Sequence, residues 1–228
     1  MKPESLTAAQ LIDNLHEMGN PVNVAGMARF GINAANTLGV SMPQLRELAK
    51  GRRDQQLSLE LWASRIHEAR ILAALVGDPA RVTPQQMDAW VLDFDSWDVC
   101  DQVCMNLFDK TPWAFEKAVE YAAREEEFVK RAGFALMACL AWHDKQAPDQ
   151  KFLELLPVIQ REAADKRNFV KKAVNWALRQ IGKRNPALKQ AAIETARSIL
   201  SIDSPAARWV ANDALRELEN LPENRYKK

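Results

Sequence analysis

Two short clusters combine aromatic and charged side chains at spacings that a helix would gather on one face. The first is Asp95-Ser96-Trp97-Asp98-Val99-Cys100-Asp101. Asp95 or Ser96 suits a helix N-cap and Asp98 a first turn, where a carboxylate complements the helix dipole. Asp101 lies further in, four residues from Trp97 and on its face, while Cys100, Val103, Cys104 and Leu107 form the apolar stripe. A carboxylate beside an exposed aromatic ring, in the middle of the chain, is a candidate site. The second cluster is Lys172, Trp176, Arg179 and Lys183, at spacings of four, three and four. Ala173, Val174, Ala177, Leu178 and Ile181 already supply an apolar stripe there, so the core does not require Trp176. A tryptophan framed by cations suits a phosphate backbone and its sugars, or else an inter-helix edge where lysine stems cover the ring.

Other chemistries find no support. His16, His67 and His143 are isolated, without ligand-type spacing, so no metal site is expected. No glycine-rich phosphate loop is present, and no cofactor is expected. Cys100 and Cys104, one helical turn apart, read as core thiols. Trp62, Trp90, Trp113, Trp142 and Trp209 fall within or beside apolar stripes and read as packing residues.

The elements that must position these clusters are helices. Apolar residues recur at three- and four-residue spacing, strand-like alternation is hard to find, and glycine is scarce at 8 of 228 residues. Pro43, Pro79, Pro112, Pro148 and Pro186 are separated by 36, 33, 36 and 38 residues. Phe128-Val129-Lys130-Arg131-Ala132 recurs 41 residues later as Phe169-Val170-Lys171-Lys172-Ala173. A weaker echo of Ala177-Leu178-Arg179-Gln180-Ile181 follows 37 residues on as Ala214-Leu215-Arg216-Glu217-Leu218. A period near 40 residues is that of HEAT and armadillo arrays, whose helix pairs bury their apolar faces on one another. The expectation is an all-α, HEAT-like repeat solenoid, an αα superhelix forming one domain over residues 1–228, with a concave basic face. Ser41-Met42-Pro43, Thr83-Pro84 and Thr111-Pro112 read as helix starts, and Gly182 with Asn185-Pro186 as a stop.

Composition bounds the partners. Hydrophobic residues are 47% and charged residues 27% of the chain, a globular balance that excludes disorder and collagen-like structure. Three cysteines argue against a disulfide scaffold and favour a cytoplasmic setting. No apolar run approaches the ~20 residues of a membrane span, and the N-terminus carries no secretory signal pattern. The net charge of +1 conceals a sorted distribution. Met87 to Phe128 carries eleven carboxylates against three basic residues, whereas Lys166 to Lys189 carries eight basic residues and no acid. Arg208, Arg216, Arg225, Lys227 and Lys228 are candidates to extend that basic surface.

Taken together, Trp97-Asp98-x-x-Asp101, Phe128-Val129-Lys130-Arg131-Ala132 and Lys172-Ala173-Val174-Asn175-Trp176-Ala177-Leu178-Arg179 resemble the AlkD-type DNA alkylation repair family. Gly39-Val40-Ser41-Met42-Pro43-Gln44-Leu45-Arg46 resembles its N-terminal signature, with Ser41 where members often carry a basic residue. The resemblance runs from about Phe30 to Pro186. It implies a monomeric HEAT-like DNA glycosylase of a bacterial cytoplasm that removes N3- and N7-alkylated purines from double-stranded DNA. Asp101 would be the catalytic carboxylate, Trp97 and Trp176 would flank the lesion's deoxyribose, and Arg131 would hold a nearby phosphate. Lys172, Arg179 and Lys183 would contact the backbone further along. The resemblance also implies that the lesion is approached from the backbone, without a base pocket, and no pocket motif stands out in the sequence. Two alternatives are a relative that binds branched or damaged DNA without excising a base, and a HEAT-type protein-interaction scaffold.

Overall fold

The structure, a computed structural model, describes residues 6–222. Arg225, Lys227 and Lys228 therefore lie outside the described residues. Among the described residues all regular structure is helical, with stacked helix pairs of the HEAT-like type and no strand. The chain forms two compact units, one ending at Thr111 and the other beginning at Pro112.

The first unit contains α1 (Ala8–Glu17), α2 (Pro21–Ala28), α3 (Met42–Ala49), α4 (Gln55–Ala63), α5 (His67–Val76), α6 (Pro84–Leu92) and α7 (Trp97–Asn106). α5 is its spine, in contact with α3, α4 and α7. It is buried on every side, including the ionisable His67, Glu68 and Arg70. Buried charges are tolerated only when paired, and all three are. A constant offset of 31 residues joins neighbouring layers: Gln55 donates to Gln86, Trp62 to Asp93, and His67 meets Asp98. The rings of Trp62 and Trp90 stack 3.9 Å apart at an interplanar angle of 4°.

The second unit contains α8 (Ala114–Ala122), α9 (Glu127–His143), α10 (Asp149–Leu153), α11 (Leu156–Glu162), α12 (Asn168–Gly182), α13 (Pro186–Ile199) and α14 (Pro205–Glu219). α9 is buried from Val129 to Ala141, and it packs against α8 and α12. Gly133 permits this: a Cβ there would stand 2.4 Å from the Ala122 amide nitrogen. The internal repeat is realised in space, since the Phe128 and Phe169 rings that open its two copies lie 5.7 Å apart.

Helix starts follow the sequence signals at two sites. Ser41 caps α3, with its amide donating to Gln44 Oε1 at 3.1 Å. Thr83 Oγ1 accepts from the Gln86 amide at the start of α6. The stop read at Gly182 and Asn185-Pro186 is also there, with α12 ending at Gly182, and Asn185 in addition caps α13 by accepting from the Leu188 amide. Thr111-Pro112 departs from the pattern. Thr111 Oγ1 instead donates to the Phe108 carbonyl at 2.8 Å, closing a short 3-10 turn, and α8 starts after Trp113. Trp62 and Trp90 are core residues as expected, but Trp113, Trp142 and Trp209 are each more than a third exposed. A helical stripe locates a face; it does not show how far the neighbouring helix extends along it.

Candidate functional site

The N-terminus of α7 is tied to several other segments of the first unit. Ser96 precedes it without a side-chain cap, because its Oγ accepts from the Asn33 amide at 2.9 Å instead. Asp95 likewise accepts from Asn33 Nδ2 at 2.9 Å. Asp93 accepts from Trp62 Nε1 through its carboxylate and from Arg70 through its carbonyl. Trp97 Nε1 donates to the Phe30 carbonyl at 3.1 Å. The expected capping roles of Asp95 and Ser96 are thus replaced by ties to a segment more than 60 residues upstream. These ties leave Trp97 and Asp101 half-buried, with Cys100, Val103 and Cys104 turned into the core.

His67 is not isolated. Its Nε2 lies 2.9 Å from Asp98 Oδ2. Burial opposes the charged imidazole, but the hydrogen bond and charge of Asp98, helped by Glu68 and Asp95, prevail and raise its pKa. Asp98 Oδ1 is buried without a hydrogen-bond partner among the described residues. Glu68, almost fully buried, accepts from the Leu38 amide at 2.9 Å and from the Gly39 amide at 2.6 Å. This fixes the turn at Gly39, whose φ of 81° favours glycine and where a Cβ would meet the Asn20 carbonyl at 2.3 Å.

The same residues line a cavity of about 600 Å³ bounded by α2, α3, α5 and α7. Its wall is mainly apolar, with Met27, Phe30, Val40, Leu45, Ile71 and Trp97, and His67, Glu68 and Asp98 form a polar side. A pocket in this unit was not anticipated. The sequence signal for it was available in the repeat: His67 and Asp98 stand one layer apart, at the same offset as Trp62 and Asp93.

Arg131, Lys172, Trp176, Arg179 and Lys183 belong to the second unit. Trp176 is half-buried on α12, and Lys172, one turn earlier, is exposed, its side chain making no ion pair or hydrogen bond among the described residues. The other cations are engaged. Arg179 and Lys183 both pair with Glu217 on α14, and Arg179 is also 3.9 Å from Asp213. Burial favours the neutral form of Glu217, but the two cations outweigh it and lower its pKa. Arg131, 6% exposed, donates from Nη1 to the Phe169 carbonyl at 2.6 Å. Elsewhere in the basic run, Arg167 pairs with Asp165, and Arg184 donates to three carbonyls at Ala141, Asp144 and Ala147. The run is therefore offset in space by carboxylates that lie outside it in sequence. No group of residues able to hold a metal ion is found among the described residues. No helix is long and apolar enough to cross a membrane, among the same residues.

Comparison with known proteins gives two results. The sequence matches a family described as DNA alkylation repair enzyme over residues 11–218. The fold matches a protein described as one of a new family related to the HEAT-like repeat DNA glycosylases, with affinity for branched DNA structures. That likeness has a TM-score of 0.75 at 18% identity, over 93% of this chain and 95% of the other. No curated protein is significantly similar to the chain in sequence.

Proposed function

Since the chain belongs to the DNA alkylation repair enzyme family, whose role is in DNA repair, we propose that it is a glycosylase releasing cationic N3- and N7-alkylated purines from double-stranded DNA. The observation that carries this reading is the α7 pair, a carboxylate and an indole four residues apart on a helix pinned at its start. An N3- or N7-alkylated purine carries a positive charge, so its glycosidic bond is already weakened. As the bond from C1′ to the base nitrogen breaks, its electron pair neutralises the base, and C1′ becomes an oxocarbenium centre. Asp101 would stabilise that centre and orient the water that adds to C1′, taking up the proton the water loses. The π face of Trp97 would favour the cationic sugar, contributing ~0.5–2 kcal/mol. No general acid is required, which agrees with a carboxylate and an indole on one helix. Trp176, one turn after Lys172 on α12, would lie against the sugars of the DNA backbone.

Lys172 would contact the phosphate backbone directly. Arg179 and Lys183 would join it by exchanging Glu217 for phosphate, and Arg131 by turning from the Phe169 carbonyl. Such contacts are independent of sequence.

A second reading keeps DNA binding and omits base release. It is favoured by the structural likeness to a protein with affinity for branched DNA. Base release from methylated duplex and affinity for a four-way junction, measured on one preparation, separate the two. Released 7-methylguanine or 3-methyladenine supports the glycosylase. Tight junction binding without release supports the second reading.

A further inference from the structure

Residues 30–39, between α2 and α3, form no helix, and most of them are exposed. The segment adds little to the core, yet its polar groups are spent on the starts of two helices. At α5, Glu68 holds the Leu38 and Gly39 amides, and the Asn36 carbonyl accepts from the His67 amide at 2.9 Å. Asn36 has a φ of 57°, in the left-handed region that asparagine tolerates. At α7, the Phe30 carbonyl accepts from Trp97 Nε1, and Asn33 bonds to both Asp95 and Ser96. The segment is a strap, fastened to α5 at one end and to α7 at the other.

Asn33 is the fastening on the α7 side. Each of its polar atoms is engaged, although the residue is exposed. Its amide donates to Ser96 Oγ and its Nδ2 to Asp95 Oδ2, both at 2.9 Å. Its Oδ1 accepts from the Ala35 amide at 3.0 Å, and its carbonyl accepts from Thr37 Oγ1 at 2.7 Å. The cost falls on α7. Asp95 and Ser96 are of the residue types that cap a helix, yet α7 has no side-chain cap, because both side chains are given to Asn33. An arrangement that served only the stability of α7 would have kept the cap. What this one fixes instead is the next residue, Trp97. An indole that lies against a sugar has to be held by its edge, since its faces make the contact. Nε1 is on that edge, and the strap holds it.

We infer that Asn33 is the positioning residue of Trp97: by tying the strap to Asp95 and Ser96 it keeps the Phe30 carbonyl on the indole N–H and so sets the plane of the ring. The inference rests on the base-release reading and deepens it, because the tilt of that ring decides how well it faces the deoxyribose as charge develops at C1′. Asn33 acts through Trp97 and takes no part in the chemistry itself. A small error in the placing of a contact group is enough to slow a reaction without weakening binding.

The test uses the full chain and a double-mutant cycle. Asn33→Ala deletes the bond to Asp95, and Trp97→Phe keeps a ring but deletes its N–H. Single-turnover release from methylated duplex is measured with enzyme in excess, and DNA affinity in parallel. Asn33→Ala is expected to slow release about tenfold at unchanged affinity. Once the indole N–H is gone the strap has nothing to hold, so the double variant should be no slower than about the slower of the two single variants. A residue that acts independently of Trp97 would instead multiply the two losses, to about a hundredfold if each is about tenfold. The indole N–H resonance of Trp97, identified by its loss in Trp97→Phe, reports the strap without any reaction. Asn33→Ala should shift that resonance and speed its exchange with solvent. Asp95→Ala removes the same bond from the other side and covers the case in which Asn33→Ala fails to fold. Undiminished release, multiplied losses or an unmoved indole resonance would overturn the inference. A moved resonance in a protein whose wild type releases no base keeps the strap and removes the glycosylase.

Discussion

Glu217 restrains the cations that the proposed function assigns to the DNA backbone, so removing its charge should strengthen DNA binding. Glu217→Gln preserves the shape of the side chain and deletes the carboxylate shared by Arg179 and Lys183. In the wild type, Glu217 competes with phosphate for both cations, so these two contacts form only part of the time. In the variant both are available throughout and the contacts are completed. Each added phosphate contact steepens the dependence of log affinity on log salt by about 0.9, so two cations add up to about 1.8. Over a fourfold change in salt, from about 50 to 200 mM, that amounts to about 3.5-fold for one contact and about 12-fold for both. The stability cost is on the order of 1 kcal/mol, because Glu217 is partly solvent-exposed and screening discounts the ion pairs. Fluorescence anisotropy with one duplex across a salt series reads the slope, and thermal unfolding reads the cost. A slope equal to that of the wild type in a folded variant would refute the reasoning. It would show that Arg179 and Lys183 serve only to join α12 to α14.

Three further outcomes follow from other contacts. Lys172→Ala, which breaks no side-chain ion pair or hydrogen bond among the described residues, should weaken binding to all duplex sequences alike and lower the salt slope by about 0.9 in the same anisotropy assay. His67 should titrate above its ordinary value near 6.5, so its pairing with Asp98 contributes fully below that pH and is lost as pH rises through the raised pKa. Asp98→Asn should drop the imidazole pKa, read by NMR titration, and cost on the order of 2 kcal/mol in acid that fades toward alkaline pH. Gly133→Ala should lower stability by about 2 kcal/mol despite its better helix propensity, because the added carbon collides with the backbone of α8. An unchanged unfolding midpoint would mean that α8 and α9 can move apart without cost.

The sequence disclosed the repeat more readily than the site. The doubled Phe-Val-Lys motif announced two equivalent helices, and the Phe128 and Phe169 rings do lie 5.7 Å apart, tilted by 31°. Capping was legible where side chain and amide lie within one turn, as at Ser41 and Thr83. It misled at Ser96 and Asp95, whose oxygens are taken by Asn33 from more than 60 residues away. Charge sorting along the chain was real but did not survive folding intact. Glu217 and Asp213 come from a helix outside the basic run and neutralise part of it, a pairing fixed by how α14 lies on α12. The cavity was invisible for the same reason. It is bounded by α2, none of whose residues is buried, together with α3, α5 and α7, and only folding brings these segments together.

The proposed chemistry rests on Asp101, and single-turnover release of 7-methylguanine from methylated duplex by the wild type and by Asp101→Asn tests it, with DNA affinity measured in parallel. Release by the wild type is expected, with a fall of about 10²–10⁴-fold in the variant and affinity that is unchanged or higher. Full activity in Asp101→Asn, or no release by the wild type, would contradict it.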